Sequence, residues 1–303
     1  MKLNVSLAGT NITITFLGRA KEAIPFFNIY FQDFISSDQK GDAKITVSIL
    51  KNSNHGFPVR ATSVNPMYEQ LLSTPDVAAW LREVQGNKED FPISERTICS
   101  FCPDGLLLFD PNTAAGRIYL LRQDLLCFRP LYRLFWMFFA QVLGEEGGCF
   151  LHSAALIKDN EGYLFMGDSG AGKSTLAGVC TECMVLSDDS PIFRKQDGVC
   201  RVFPSPFHQM DPLKGLDRDT IAANAVVKGF YFLIKDDSVY LEEVSKRRAI
   251  SMIIKRYIHF FPYLSTQARS VLFDLLFETC HNTPTHYIHF CRDQDVLRFI
   301  TGR

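Results

Sequence analysis

Gly167-Asp168-Ser169-Gly170-Ala171-Gly172-Lys173-Ser174-Thr175 is the stretch on which the reading of this chain turns. A glycine, four residues and then Gly-Lys-Ser satisfy the P-loop spacing. The run stands between a strand-like segment, Gly162 to Met166, and a helix candidate, Ser174 to Cys183, which is the context that spacing requires. Glycines so placed let the backbone curl into a concave nest of inward-facing N–H groups, and a helix opening there adds the positive end of its dipole. Phosphate oxygens are the natural occupant. Ordinary residue frequencies give the bare pattern by chance in about one chain in a hundred of this length, and correct flanks make it rarer. The motif therefore implies ATP or a related nucleotide with a divalent metal. Residues Gly167 to Thr175 cradle the phosphates, Lys173 reaches the β- and γ-phosphates, the Ser174 hydroxyl holds magnesium, and Thr175 adds a hydroxyl contact.

Downstream, Leu186-Ser187-Asp188-Asp189-Ser190 places two carboxylates at the end of a short apolar strand just past the P-loop helix. One carboxylate is enough to hold magnesium directly or through water, and the other can take a proton from an attacking hydroxyl. Asp-Asp-Ser-Pro is also good turn chemistry, but its place one strand beyond a P-loop favours a functional role. Upstream, Leu151-His152-Ser153-Ala154-Ala155 sets a lone histidine beside a strand, where spacing alone assigns it no chemistry.

Taken in order, Leu-His-Ser-Ala-Ala, a hairpin, the P-loop and Leu-Ser-Asp-Asp-Ser resemble the catalytic domain of HPr serine kinase/phosphorylase. They are also similar to ATP-dependent phosphoenolpyruvate carboxykinase, which shares that nucleotide fold. The resemblance spans Leu151 to Asp189, about an eighth of the chain. It implies that His152 lies beside the transferred phosphate or its metal, that Ser174 is the metal-binding hydroxyl, that Asp189 accepts the proton, and that Asp188 sits nearer the metal or its waters. His152, Lys173, Asp188 and Asp189 are then the catalytic set. Two departures limit the transfer: no glycine- and arginine-rich signature follows Asp189, and the chain is too short for a carboxykinase. The layout looks more like the HPr-kinase-like proteins found with peptide-modification systems, acting on a peptide serine or a small-molecule alcohol. Assembly into a homo-oligomer is implied too, since the related kinases form rings. Phe203 to Gln209 resembles a turn in these relatives that would bring Ser205 or His208 to the acceptor side, although a proline-bounded loop packed by phenylalanines is the simpler reading.

The remaining sequence frames these motifs. With 303 residues, 47% of them hydrophobic, the chain can bury two compact domains or one large one. Its 32 Lys and Arg against 33 Asp and Glu carry no broad claim on nucleic acid. Met-Lys-Leu-Asn-Val-Ser-Leu alternates like a strand and lacks the apolar core of a secretory signal, so a cytoplasmic location is expected. Leu125 to Leu143 is the most hydrophobic stretch, but Arg129, Pro130, Arg133 and Gln141 interrupt it; it reads as a buried or half-buried helix and not as a membrane span. Nine cysteines suit reduced thiols better than a disulfide framework, and the pairs Cys99/Cys102 and Cys180/Cys183 read as core cysteines ahead of a four-thiolate zinc site.

The expected fold is α/β in two domains. Residues 1–145 form a β-rich domain, with strands at Leu3 to Leu7, Asn11 to Phe16, Ala43 to Leu50, Arg96 to Phe101, Leu106 to Phe109 and Arg117 to Leu121. A helix from Pro75 to Glu83 with Thr74 as its cap interrupts them, and an apolar helix from about Gln123 to Leu143 ends at Gly144. Residues 146–303 form the P-loop, mixed-sheet domain. Its strands are expected at Leu151 to Ile157, Gly162 to Met166, Met184 to Ser187, Val199 to Phe203, Ala225 to Lys235 and Thr285 to Phe290, and helices at Ser245 to Tyr257, Ser265 to Thr279 and Asp293 to Ile300. The function this composes is an ATP- and magnesium-dependent phosphotransferase acting on a hydroxyl. The alternatives are a nucleotide-binding accessory protein that recognises a peptide for a modification system and transfers nothing, and a simple ATPase.

Overall fold

A computed structural model describes residues 1–37, 41–49, 91, 93–102, 105–120, 128–180, 182–207, 218–291 and 295–302. The expected helix from Pro75 to Glu83, the beginning of the apolar helix before Phe128, and His208 and Gln209 lie outside the described residues. The chain divides into two compact units, Met1–Glu145 with Pro262–Ser265, and Glu146–Phe261 with Thr266–Arg303. Each is a mixed α/β structure.

The first unit is built on strands β1 (Lys2–Leu7), β2 (Thr10–Phe16), β3 (Ala43–Ile49), β4 (Ile98–Cys102), β5 (Gly105–Asp110) and β6 (Ala115–Leu120). They line up in the order β1-β2-β3-β6-β5-β4. Pairs β2/β3 and β3/β6 are parallel and the others antiparallel. The β1–β2 hairpin closes through Ala8 and Gly9, both left-handed (φ +50° and +88°), the two-residue turn whose twist matches paired strands. Helix α1 (Ile24–Phe31), which the periodicity did not announce, and helix α2 (Phe128–Glu145) also belong to the unit. Pro130 falls in the first turn of α2, where a missing N–H leaves no bond unmade. The helix runs through Gly144 and stops before Gly147, whose φ of +74° ends it. Two glycines let α2 lie close on the sheet: a Cβ on Gly116 would meet the Phe138 ring at 2.6 Å, and one on Gly105 would meet Leu134 at 2.6 Å. Phe16, Phe27, Phe31 and Phe135 interlock beside them, mostly edge to face. Among the described residues no helix is long and apolar enough to cross a membrane.

The second unit holds β7 (Gly148–Phe150), β8 (Ser153–Lys158), β9 (Glu161–Met166), β10 (Met184–Ser187), β11 (Ile192–Gln196), β12 (Val199–Phe203), β13 (Ala225–Lys235), β14 (Tyr240–Glu243) and β15 (Thr285–Phe290). Its helices are α3 (Lys173–Val179), α4 (Arg218–Ala222), α5 (Lys246–Met252), α6 (Thr266–Asn282) and α7 (Val296–Thr301). Strand β13 is the hinge of a nine-stranded mixed sheet, seven strands in the order β10-β8-β9-β13-β12-β11-β7 with β15 and then β14 branching from β13. Its first residues pair antiparallel with β12, while Phe230 to Lys235 pair parallel with β15, and β9 runs parallel along its other side. The central strands β8, β9 and β13 are almost continuously buried, as strands covered on both faces are. The hairpins β8–β9 and β11–β12 turn on Asp159-Asn160 and Asp197-Gly198, all four left-handed, residues that accept this geometry at little cost. Asp295 caps α7, its carboxylate accepting from the Arg298 N–H.

Other features also differ from expectation. The run from Leu151 to Ile157 is not one strand: it breaks at Leu151-His152 between β7 and β8. The P-loop helix stops at Val179 because Cys180 turns extended, and Cys180 is bonded to Cys183 in a disulfide, so these two are not the free thiols expected. Cys99 and Cys102 are buried thiols of β4 in the other unit.

Candidate active site

The Gly167–Thr175 loop leaves the carboxyl end of β9 and enters α3. Gly170 and Gly172 are left-handed, with φ of +78° and +106°. The second tolerates no side chain, since a Cβ there would lie 2.7 Å from the Phe290 ring; one on Gly167 would lie 2.6 Å from Ala171 Cβ. The Ala171 N–H donates to Asp168 O at 2.9 Å, which tightens the loop. Asp168, Ser169, Gly170 and Ser174 face solvent, Ala171, Gly172 and Thr175 are half-buried, and Lys173 is buried. The Lys173 ammonium donates to Gly167 O at 2.7 Å and lies 3.0 Å from His152 Nε2. Burial lowers its pKa, against the pull of the Asp189, Asp168 and Asp188 charges.

His152 occupies the break between β7 and β8, where its backbone is held from two sides. Its N–H donates to Tyr257 O at 2.6 Å, while the flanking Leu151 and Ser153 N–H groups donate to Pro191 O at 3.0 Å and Asp189 O at 2.9 Å. The ring then spans the site. Nδ1 lies 3.0 Å from Asp189 Oδ1 and Nε2 lies 3.0 Å from the Lys173 ammonium, so the tautomer with its proton on Nδ1 donates to the carboxylate and accepts from Lys173. Asp189 is buried. Burial alone would raise its carboxyl, but the hydrogen bond and charge of His152, the charge of His259 and the Ser190 hydroxyl outweigh it and hold the group below the usual carboxylate range.

Ser190 and His259 extend this array; Ser190 closes the Leu186 to Ser190 motif without a role assigned to it there, and His259 falls in no motif. Ser190 Oγ donates to Asp189 Oδ2 at 3.0 Å and lies 3.2 Å from His259 Nε2. His259 arrives by an irregular route. After Met252 the chain of α5 widens into a π-turn, Ile253–Tyr257, Leu151 then bridges to Ile258, and the His259 N–H donates to Phe150 O at 3.1 Å. Phe260, which follows, is left-handed at φ +62°. Burial and the neighbouring His152 charge push the His259 pKa down to about 4, so this imidazole is neutral near pH 7. The two histidine rings meet edge to face, centroids 5.5 Å apart.

The ligand atoms of His152, Asp189 and His259 all lie within 4.8 Å of one another. Two imidazoles and a carboxylate suit a transition-metal dication, whereas oxygen donors such as the Ser174 hydroxyl and the Asp188 carboxylate are of the kind magnesium takes. Asp188 is half-buried beside this group, near enough to Lys173 for its charge to be felt there. Ser205 is buried and acts as a brace: its hydroxyl donates to Ser190 O at 2.5 Å and accepts from the Phe207 N–H at 3.2 Å, with Phe207 packed edge to face on Phe150. The loop it belongs to supports the Asp189-Ser190 corner.

No family model matches this chain, and no curated protein matches it. Among solved structures it is similar to the HPr(Ser) kinase/phosphatase from Coxiella burnetii, at 16% identity and a TM-score of 0.23, over 31% of this chain and 72% of that chain.

Proposed function

We propose that this chain is an ATP- and magnesium-dependent phosphotransferase that moves the γ-phosphoryl group onto a hydroxyl, a serine of a peptide or a small-molecule alcohol. The observation that carries the reading is the unbroken array Lys173–His152–Asp189 at the mouth of a glycine loop, each contact 3.0 Å long. The acceptor oxygen attacks the γ-phosphorus, its proton passes to Asp189, and the bond to the bridging oxygen breaks to release ADP. Lys173 leaves its resting contacts with Gly167 and His152 to neutralise the phosphates. Ser174 and Asp188 are the oxygen donors that would hold magnesium, which supplies further charge neutralisation. Asp189 is a weak base, and phosphoryl transfer asks for little more: its transition state is loose, and positioning and charge stabilisation supply most of the rate. His152 orients the carboxylate and can share the proton it receives. On this reading residues 146–303 are the catalytic domain and the protein works in the cytoplasm.

The test combines two measurements. Titration calorimetry with ATP and magnesium is expected to give binding that Lys173→Ala reduces at least about tenfold, the loss of one charged phosphate contact. Mass spectrometry of an acceptor extract is expected to show a phosphorylated product that requires Lys173. Tight ATP binding with no phosphorylation across a broad acceptor set would overturn the reading in favour of an accessory role. Phosphate release independent of any acceptor would reduce it to an ATPase.

A further inference from the structure

A groove of about 520 Å³ lies between α5, with its π-turn, and α6, in the second unit. Its floor is apolar. Ile250 and Ile254 contribute from one wall; from the other come Phe273 and Phe277, large aromatics left 48% and 50% exposed. Both pairs are spaced i, i+4, so each wall presents one side of a helix. The rim has a single sign: Lys246 and Arg247 at one end and Lys255 at the other, with the His281 ring tilted against Phe277 at 4.1 Å and no acidic residue among the described residues that line the groove. Lys246 donates to Thr283 O, but Arg247 and Lys255 have no hydrogen-bond or ion-pair partner within the described residues. Eight residues of helix separate them, about 12 Å.

We infer that this groove is a docking site for an acidic amphipathic helix of a peptide partner. An apolar trough of about two helical turns accepts an i, i+3/i+4, i+7 ridge of apolar side chains, which is how helices dock in grooves. Two cations without partners at its ends select carboxylates flanking that ridge and repel basic segments. Exposed aromatics supply the anchors, since phenylalanines that stand in water have apolar area to bury. The groove also borders the catalytic machinery through the chain itself. Lys255 lies in the same π-turn as Tyr257, whose carbonyl accepts from His152, and four residues before His259. Docking is read directly as binding, so the inference stands or falls separately from phosphotransfer.

The test uses the full chain and a fluorescein-labelled helical peptide of about fourteen residues, with Leu at i, i+3, i+4 and i+7 and Glu on both flanks. Fluorescence anisotropy is expected to show saturable binding that weakens with added salt. Arg247→Glu combined with Lys255→Glu is expected to weaken it at least about tenfold, and Phe277→Ser similarly, with ATP binding unchanged as the check on folding. These positions are exposed, so the variants should fold; circular dichroism confirms it. Equal binding of the Glu peptide by the doubly reversed variant would overturn the inference. So would equal binding of a Lys-flanked control peptide by the wild-type chain, or displacement of a groove-bound dye by oleate but not by the peptide, which would assign the groove to a small anionic amphiphile.

Discussion

His152 and Asp189 face each other across 3.0 Å, Nδ1 to Oδ1, and this contact both aims the carboxylate and lowers its pKa. Replacing His152 by Asn removes the imidazole partner and leaves burial, which raises the carboxyl, less opposed. The acid limb of the pH–rate profile for transfer is therefore expected to move to higher pH, with a fall in rate of about 10²- to 10⁴-fold at neutral pH. ATP affinity should change little. An acid limb at its wild-type position would show that the histidine does not control the base.

His259 links the same corner to stability. Its folded pKa is depressed from 6.5 to about 4, so below pH 6.5 the unfolded chain binds a proton that the folded chain refuses. Stability from this group is present above pH 6.5 and declines as pH falls to about 4, by an amount on the order of 3 kcal/mol. Asp189, with a depressed pKa, adds a loss in the same direction at lower pH, as it protonates. Urea unfolding followed across this range should show a steep decline in the wild-type chain and a shallower one in His259→Gln.

Gly172 offers a test of the loop. Alanine there must accept φ of +106° and place a Cβ 2.7 Å from the Phe290 ring. Gly172→Ala is expected to destabilise the protein by at least about 1–2 kcal/mol and to weaken ATP binding. Adding Phe290→Leu should relieve the clash but not the backbone strain, so thermal unfolding should recover only in part.

In the first unit, Gly116 sets how closely α2 lies on the sheet. A methyl group there meets Phe138 at 2.6 Å, so Gly116→Ala is expected to cost about 1–3 kcal/mol in chemical denaturation. Gly116→Ala with Phe138→Leu should be less destabilised than the two single changes summed, because the residues share one contact.

The strands of the first unit were legible because alternating runs such as Thr10–Phe16 bury every second residue, and this survives in the burial pattern. The β8–β9 hairpin could be read from Asp159-Asn160, residues that prefer its turn. Helix α1 escaped notice because Pro25 and a run of apolar residues give it no clear polar face. Short β14 escaped because all four of its residues, Tyr240 and Leu241 included, are exposed, leaving no alternation to read. In the site, Lys173, His152 and Asp189 belong to recognisable motifs, and the structure brings them into contact. Ser190 stands at the end of the Leu186 to Ser190 motif, but its role does not show there; His259 belongs to none, entering through a π-turn and one isolated bridge to Leu151, a tertiary event without local signature. The break at His152 was hidden for the same reason, since it is held by bonds from the Leu151 and His152 N–H groups to the carbonyls of Pro191 and Tyr257, distant in sequence.

The central claim, that Asp189 takes the acceptor's proton while the Gly167–Thr175 loop holds the nucleotide, separates most directly in a single-turnover transfer assay on Asp189→Asn. With γ-labelled ATP, magnesium and an acceptor extract, the account predicts ATP affinity within a few-fold of wild type and transfer reduced by about 10²-fold or more. Full phosphotransfer by Asp189→Asn to the same acceptor would contradict it.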